Sequence, residues 1–348
     1  MHIIDRFDSL GKVKRQRISE VRDYANDIFL NRAERVQPFS QEVETAIKNN
    51  LDLQSAGFYH DLTSLYRKMS AYLNVDTQKF LVTCGADESI KNIFNIFTDK
   101  GDLVCFPSPT YGMYHAYSSI YGVQKLTLKY NEDFKIDKQE LYDNLHRIKV
   151  LFLPNPNHIE DCFSIEEIKS ICEEANGLVV IDETYYGFGC KTAVPLIDEC
   201  DNLLVIRSFS KTFGLPSLRV GVTIGQKDLI QSLDAQRVAY EVSLVCQQIA
   251  EFFLDNMQIT NGYAKKCIEG RKLVIDTLKG KFKVNGESSY LVTIKMRDQQ
   301  LAESVAKKLK ESRIHVGQFD QNIRITIGPE QYMQNFLNQF KLAVSYLT

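Results

Sequence analysis

A lysine stands where a solvated lysine has no reason to be. Lys211 follows the apolar run LLVIR (203–207) through Ser208, Phe209 and Ser210, and Arg219 comes eight residues later. Hydroxyls and a guanidinium around an amine suit a phosphate held beside a nucleophile, because the guanidinium fork matches phosphate oxygens. A lysine whose pKa is lowered by burial or a neighbouring cation becomes a nucleophile toward carbonyl groups. A second apolar run, LVVID (178–182), ends on Asp182 and continues into Glu183, Thr184 and Tyr185. A carboxylate at the end of a buried strand needs a partner, since a bare buried charge is costly. That partner is either a salt bridge to the next loop or the cationic nitrogen of a ligand. A third run, FLVTCG (80–85), passes through Gly85 into Ala86, Asp87 and Glu88. A strand, a tight glycine turn and a helix start present free N–H groups to an anion, although many such turns bind nothing.

These residues share a frame. Between about residues 75 and 225 short apolar runs alternate with helical patterns, and further runs are LVCF (103–106), KVLFL (149–153) and VGVTI (220–224). Rich in Val, Leu and Ile and not alternating, they read as strands buried on both faces of a mainly parallel sheet. The stretch DESIKNIFNIFTDKGD puts Ile90, Ile93, Phe94 and Phe97 on one helical stripe, with Gly101 just beyond. SIEEIKSICEEANG reads as a helix capped by Ser164 and closed by Gly177. In such sheets ligands bind beyond the carboxyl ends of the strands, where Asp182, Lys211 and Gly85 all fall. After about residue 230 the pattern changes to charged amphipathic helices and short strands, SYLVTIKM (289–296) and NIRITIG (322–328), closed by the helix EQYMQNFLNQFKLAVSYL. The expected division is an N-terminal segment, 1–50, joining the small domain; a large ligand-binding domain, 51–240; and a small α+β domain, 241–348.

Composition is that of an ordinary soluble enzyme: 44% hydrophobic, 25% charged, net charge −2. Nothing in that balance points to nucleic acid or a membrane surface, and no apolar run reaches the length of a span. The N-terminus shows no apolar leader. Eight cysteines include no C-x-x-C pair, and six histidines lack metal-ligand spacing, so no metal is expected. Most of the cysteines read as reduced thiols in a cytoplasmic protein.

The stretch SFSKTFGLPSLRVG resembles the pyridoxal-phosphate (PLP) lysine signature of class I/II aminotransferases. It is most similar to the histidinol-phosphate aminotransferase branch. GADE, PSPTYGMY, VVIDETYYGF and IRITIG occur in that branch's order and near its spacings, across about residues 50–330. The resemblance implies the aspartate-aminotransferase-like α/β fold (PLP fold type I). It implies that Lys211 is the Schiff-base lysine and proton carrier, and that Asp182 pairs with the pyridine nitrogen. Tyr185 would bond the cofactor's phenolate oxygen and Tyr111 would stack on its ring. Ser208, Ser210, Arg219 and the amides around Gly85, Ala86 and Asp87 would hold the phosphate. Tyr59 of GFYHD would reach the phosphate of a neighbouring subunit, which implies a homodimer with shared active sites. Arg324 of IRITIG would bind the substrate's carboxylate or an equivalent anion.

Four departures from the pattern stand out. The N-P-N-N-P-T-G loop reads Asn155-Pro156-Asn157-His158-Ile159-Glu160-Asp161, without its P-T-G turn, so the cofactor-bonding asparagine is Asn157 or is replaced by His158. G-L-A-G-L-R reads Gly214-Leu215-Pro216-Ser217-Leu218-Arg219, stiffened by proline. Ala33 stands at a usual asparagine, and Gly317 at the arginine that helps bind the phosphate of histidinol phosphate. The chemistry reads as intact and the substrate pocket as altered. An aminotransferase passing an amino group from an amino acid donor to a small keto or aldehyde acceptor is the expected activity. A decarboxylase of a small phosphorylated amino acid is the alternative on the same residues. A non-catalytic binding module would have lost Lys211 or Asp182.

Overall fold

The computed structural model describes residues 21–347 except 158, 160 and 161. Its strands form two sheets. The short β1 (Ile28–Leu30) belongs to the smaller one. The larger has seven strands: β2 (Phe80–Thr83), β3 (Leu103–Ser108), β4 (Gln124–Lys129), β5 (Val150–Pro154), β6 (Leu178–Asp182), β7 (Leu203–Ser208) and β8 (Gly221–Gly225). Their order is β2-β8-β7-β6-β5-β3-β4. Strands β3 to β7 run parallel, as the apolar runs of β3, β5, β6 and β7 predict. β8 is antiparallel to both β7 and β2. The Phe209–Val220 connection holds only a single 3₁₀ turn, Pro216–Leu218, too little to cross the sheet, so the chain turns back beside the strand it left. β4 escapes the run pattern because it is an edge strand with exposed Gln124, Lys125 and Lys129.

Alternate residues of these strands feed two cores. Val104, Phe106, Val150, Phe152 and Ile206 pack on one face with Ile90, Ile93 and Phe94 of the helix Ala86–Phe97. Cys105, Leu151, Val179, Ile181 and Val205 pack on the other. Ser164 caps the helix Ile165–Glu174 in a capping box with Glu167. That helix stops at Glu174, and Gly177 serves a different need from the expected cap. A Cβ there would strike the carbonyls of Ile148 and Lys149, where the chain enters β6 beside β5.

The smaller sheet adds β9 (Lys283–Asn285), β10 (Leu291–Lys295), β11 (Ile314–Phe319) and β12 (Asn322–Thr326), in order β1-β11-β12-β10-β9. β1 pairs in parallel with β11, which brings the N-terminal segment into this sheet. Helices Met257–Leu278, Gln299–Glu311 and Glu330–Leu347 share its core. The helix Leu244–Asp255 instead sends Ala250 and Phe253 into the first core, so the chain changes core between Phe253 and Tyr263 rather than at residue 240. Its apolar face selects the neighbour, and composition does not show which.

Among the described residues no helix is long and apolar enough to cross a membrane, and no group of three or more His, Cys, Asp or Glu could hold a metal ion. Cys162 and Cys190 are joined in a disulfide, with Cα atoms 5.6 Å apart, a pairing that the sequence does not reveal. The loops after β5 and β6 lie side by side, a proximity that 28 residues of sequence conceal. The other six cysteines are free.

Candidate active site

The carboxyl ends of the strands converge on a cavity of about 160 Å³. β6 contributes Asp182 with Thr184 and Tyr185 beyond it, β7 contributes Ser208 with Ser210 and Lys211, and the loop before β8 contributes Arg219. Ala86 and Asp87 enter from the helix that follows β2, and Thr110 and Tyr111 from the turn that follows β3. Residues spread over more than 130 positions of sequence thus line one space, because parallel strands put their ends on one edge.

Lys211 is held rather than solvated. Its Nζ donates to the Ala33 carbonyl at 2.9 Å. Burial drives its pKa down from 10.5 to about 8; Arg219 and Arg324 add to the lowering, while Glu34 and Asp182 oppose it. Ala33 itself has φ 53, a left-handed conformation that costs an alanine about 1–2 kcal/mol. The small sheet imposes it: Ala33 N–H donates to Thr326 Oγ1 at 3.0 Å, and Thr326 Oγ1 donates to the Leu30 carbonyl at 3.0 Å. An asparagine at this position tolerates the conformation more easily, so the alanine is maintained by its surroundings.

Asp182 is buried and fixed by two neighbours. The Tyr114 hydroxyl donates to its Oδ2 at 2.6 Å, and Thr184 donates to its Oδ1 through its backbone N–H at 3.0 Å and through its hydroxyl. Tyr114 is fully buried, and burial with the nearby Asp182 charge holds its hydroxyl firmly protonated. The sequence reading missed Tyr114, yet PTYGMY carried the signal: Tyr111 and Tyr114 are one helical turn apart. Tyr185 lines the cavity, and its hydroxyl makes no hydrogen bond to the described residues. Burial pushes its pKa up to about 12, against the pull of Arg324.

The opposite end of the cavity is an anion cradle. Gly85 has φ 75, and a Cβ there would lie 2.5 Å from Arg219 Nη2, so only glycine lets the guanidinium approach. A Cβ on Gly221 would fall 2.5 Å from the Gly85 carbonyl carbon and 2.6 Å from Ala86 N. Gly85 N–H is taken by the Thr83 carbonyl at 2.7 Å. The free amides of the cradle are therefore those of Ala86 and Asp87, which open the helix. Ser208 and Ser210 hydroxyls lie 2.9 Å apart. Arg219 reaches only the carbonyls of Pro216 at 3.2 Å and Cys84 at 3.5 Å, and no carboxylate among the described residues neutralises it. An unneutralised guanidinium, two hydroxyls and two amides match the oxygens of a phosphate ester.

The remaining expected residues are placed as follows. Tyr111 lines the cavity, is 48% exposed, and sets its ring edge-on to Tyr114. Arg324 lies on β12 opposite Gly317, with its guanidinium 5.5 Å from the Phe319 ring and no carboxylate partner among the described residues. Burial lowers its pKa, and its charge acts on both Tyr185 and Lys211. Asn157 is buried but turns aside from the cavity wall: its amide donates to the Tyr130 hydroxyl, and its carbonyl accepts from Ser289 Oγ at 3.0 Å. Tyr59 is 84% exposed and stacks on Tyr240 with ring centroids 4.5 Å apart, outside the cavity of its own chain. His158 lies outside the described residues.

The residues present fit PLP: a buried amine, a fixed carboxylate, a free phenol and a phosphate cradle line one cavity. A model of the family "Aminotransferase class I and II" matches residues 29–340. A histidinol-phosphate aminotransferase of Caldanaerobacter subterraneus subsp. tengcongensis is 31% identical over 321 residues, 87% of this chain and 90% of that protein. The structure of histidinol-phosphate aminotransferase from Sinorhizobium meliloti, in complex with pyridoxal-5'-phosphate, aligns with a TM-score of 0.82 at 17% identity, over 100% of this chain and 96% of that one. A Thermus thermophilus aspartate aminotransferase double mutant aligns with a TM-score of 0.76 at 17% identity, over 99% and 96%. The fold is aspartate-aminotransferase-like.

Proposed function

Since the chain belongs to the class I and II aminotransferase family and works with PLP, we propose that it moves an amino group from an amino acid to a small keto or aldehyde acceptor carrying an anion such as phosphate. The observation that carries this reading is the part-buried Lys211 amine, its pKa lowered to about 8, in one cavity with Asp182 and the phosphate cradle. When bound, PLP supplies an electrophilic carbon for amine exchange and a ring that takes up the electron pair released at the substrate carbon.

The chain's own residues do the rest. Ser208, Ser210, Arg219 and the amides of Ala86 and Asp87 hold the phosphate, and Tyr111 covers the ring. Asp182, pinned by Tyr114 and Thr184, accepts from the ring N–H and keeps that nitrogen protonated. Tyr185 donates to the phenolate oxygen. Lys211 would hold the cofactor through its amine and, once freed, would carry the proton removed from the substrate carbon. Arg324 binds the substrate's anionic group. Asn157 would become a partner of the ring only if its amide left Tyr130.

Absorbance of the holoenzyme during a donor panel tests the activity. Glutamate should bleach the lysine-bound cofactor band and leave the amine form, and a keto acceptor should restore it. Carbon dioxide release from a phospho-amino acid with the band regenerated would replace transamination with decarboxylation. Replacing Arg324 by alanine should raise KM for the anionic acceptor by roughly 10²-fold with kcat within a few-fold, because truncating one partner of a charge-paired contact costs about 2–5 kcal/mol. A fall in kcat with unchanged KM would remove Arg324 from substrate binding.

The working unit we propose is a homodimer with shared sites. Phe58 and Tyr59 are exposed, and Tyr59 stacks on Tyr240 beside an open groove of about 860 Å³ that also carries Arg67, Arg237 and Glu241. An apolar rim over a charged floor suits a second copy, whose phosphate Tyr59 would reach. Sedimentation returning only monomers at assay concentration would sink the shared site. Six free thiols support a cytoplasmic setting, which cell fractionation checks.

A further inference from the structure

The loop that leaves β5 lacks the turn residues expected there, yet its two ends, Asn155 and Phe163, are held together. Asn155 folds it on itself: its Oδ1 accepts from Phe163 N–H at 2.8 Å and its Nδ2 donates to the Phe163 carbonyl at 3.4 Å. Cys162, next to this clasp, is joined to Cys190. Cys190 ends the segment that begins at Asp182 and Tyr185. β5 and β6 are adjacent and parallel, with Pro154 beside Asp182, and Asn155 N–H donates to the Asp182 carbonyl at 2.8 Å. The disulfide therefore ties the two strand-end loops that form one wall of the cavity, where Pro154, Asp182, Thr184 and Tyr185 lie.

The same two loops seat the small domain. Ser289 Oγ donates to the Asn157 carbonyl, and Arg271 Nη1 bridges the carbonyls of Phe188 at 2.6 Å and Ser289 at 2.8 Å. A covalent tie at this point stiffens the wall that carries Asp182 and the surface on which the small domain rests.

We propose that Cys162 and Cys190 are a reversible thiol–disulfide site that sets how firmly this wall holds the cofactor. The co-reactant is a low-molecular-weight disulfide such as oxidised glutathione. The Cys162 thiolate attacks it, forming a mixed disulfide and releasing one thiolate. The Cys190 thiolate then attacks the Cys162 sulfur, closing the bond and releasing the second. Two protons leave the protein thiols, and one small disulfide becomes two thiols. A small dithiol reverses the exchange. Cys162 is the more exposed partner and the point of entry, whereas Cys190 is 8% exposed. The competing sites are the exposed Cys84 and the partly exposed Cys246; Cys105, Cys172 and Cys267 are buried, and burial raises their pKa, which disfavours the reactive thiolate.

The test uses holoenzyme equilibrated with oxidised or reduced glutathione. Thiol titration after unfolding should count two fewer thiols in the oxidised form, and peptide mapping should join Cys162 to Cys190. Release of PLP, followed by absorbance after dilution, should quicken about tenfold on reduction, and Tm should fall by about 5 °C. The double variant Cys162→Ser, Cys190→Ser should match the reduced enzyme and ignore the oxidant, while Cys246→Ser should keep the full response. Full thiol counts after oxidised glutathione, or a bond that forms without changing release and Tm, would overturn the proposal.

Discussion

Replacing Lys211 by alanine is expected to abolish the absorbance band of the covalently held cofactor and to lower turnover by at least about 10⁴-fold. In the proposed function this one side chain would be both the covalent anchor and the proton carrier, so its loss would remove two functions together. Lys211→Arg should be nearly as inactive, since it restores the charge but supplies no free amine at accessible pH. The lowered pKa adds a sign. Burial and the Arg219 and Arg324 charges destabilise the ammonium form, so the free amine predominates above about pH 8 rather than above 10.5. Covalent loading of cofactor-free protein should therefore quicken about tenfold per pH unit below about 8 and level off above it. Stopped-flow absorbance between pH 6 and 10 reads this directly. A plateau reached only above pH 10 would mean that the amine is not desolvated, and a Lys211→Ala protein that retained the band would move the anchor elsewhere.

Asp182→Asn should keep the cofactor bound while lowering kcat by about 10³-fold and changing KM by only a few-fold, the pattern of an interaction that matters most in the transition state. The substitution preserves shape but removes the charge that, in the proposed function, would keep the ring nitrogen protonated. It also leaves a conflict: Tyr114 and Thr184 donate to both carboxylate oxygens, and an amide can accept at only one. Tyr114→Phe separates the two effects. It leaves the charge and removes one donor, so a loss of about tenfold is expected, with the cofactor band shifted in its pH dependence. Equal losses in the two variants would mean that position rather than charge is what Asp182 supplies.

Several parts of this site were legible before any coordinates. Apolar runs that end on Asp182 or lead into Lys211 and Gly85 announce strand ends, because burial on both faces demands unbroken apolar strands and ligands gather at their carboxyl edge. The N-cap at Ser164 was readable because a cap involves residues three apart, and the structure adds Glu167 to it as a capping box. β4 was not, since an edge strand with exposed lysines resembles a loop. Nor was the reversal of β8, because local pattern records that a strand exists and not which way it runs. Gly177 shows a subtler failure. A glycine after a helix reads as a cap, but the carbonyls of Ile148 and Lys149, brought beside it by β5, are the actual reason no side chain fits.

The sequence by itself determined the fold class, the cofactor chemistry and the strand ends that carry it, because periodicity, caps and short motifs are properties of neighbouring residues. Only the tertiary structure decided what each side chain meets. Ala33 strained into a carbonyl for Lys211 lies 178 residues away, Tyr114 on Asp182 lies 68 away, and Cys162 joins Cys190 across 28. The turning of Asn157 onto Tyr130, and the placing of Arg324 beside Gly317 and Phe319, depend on which strand ends and strands the sheets bring together. Such contacts are set by register and packing across elements, and no local pattern of residues encodes them.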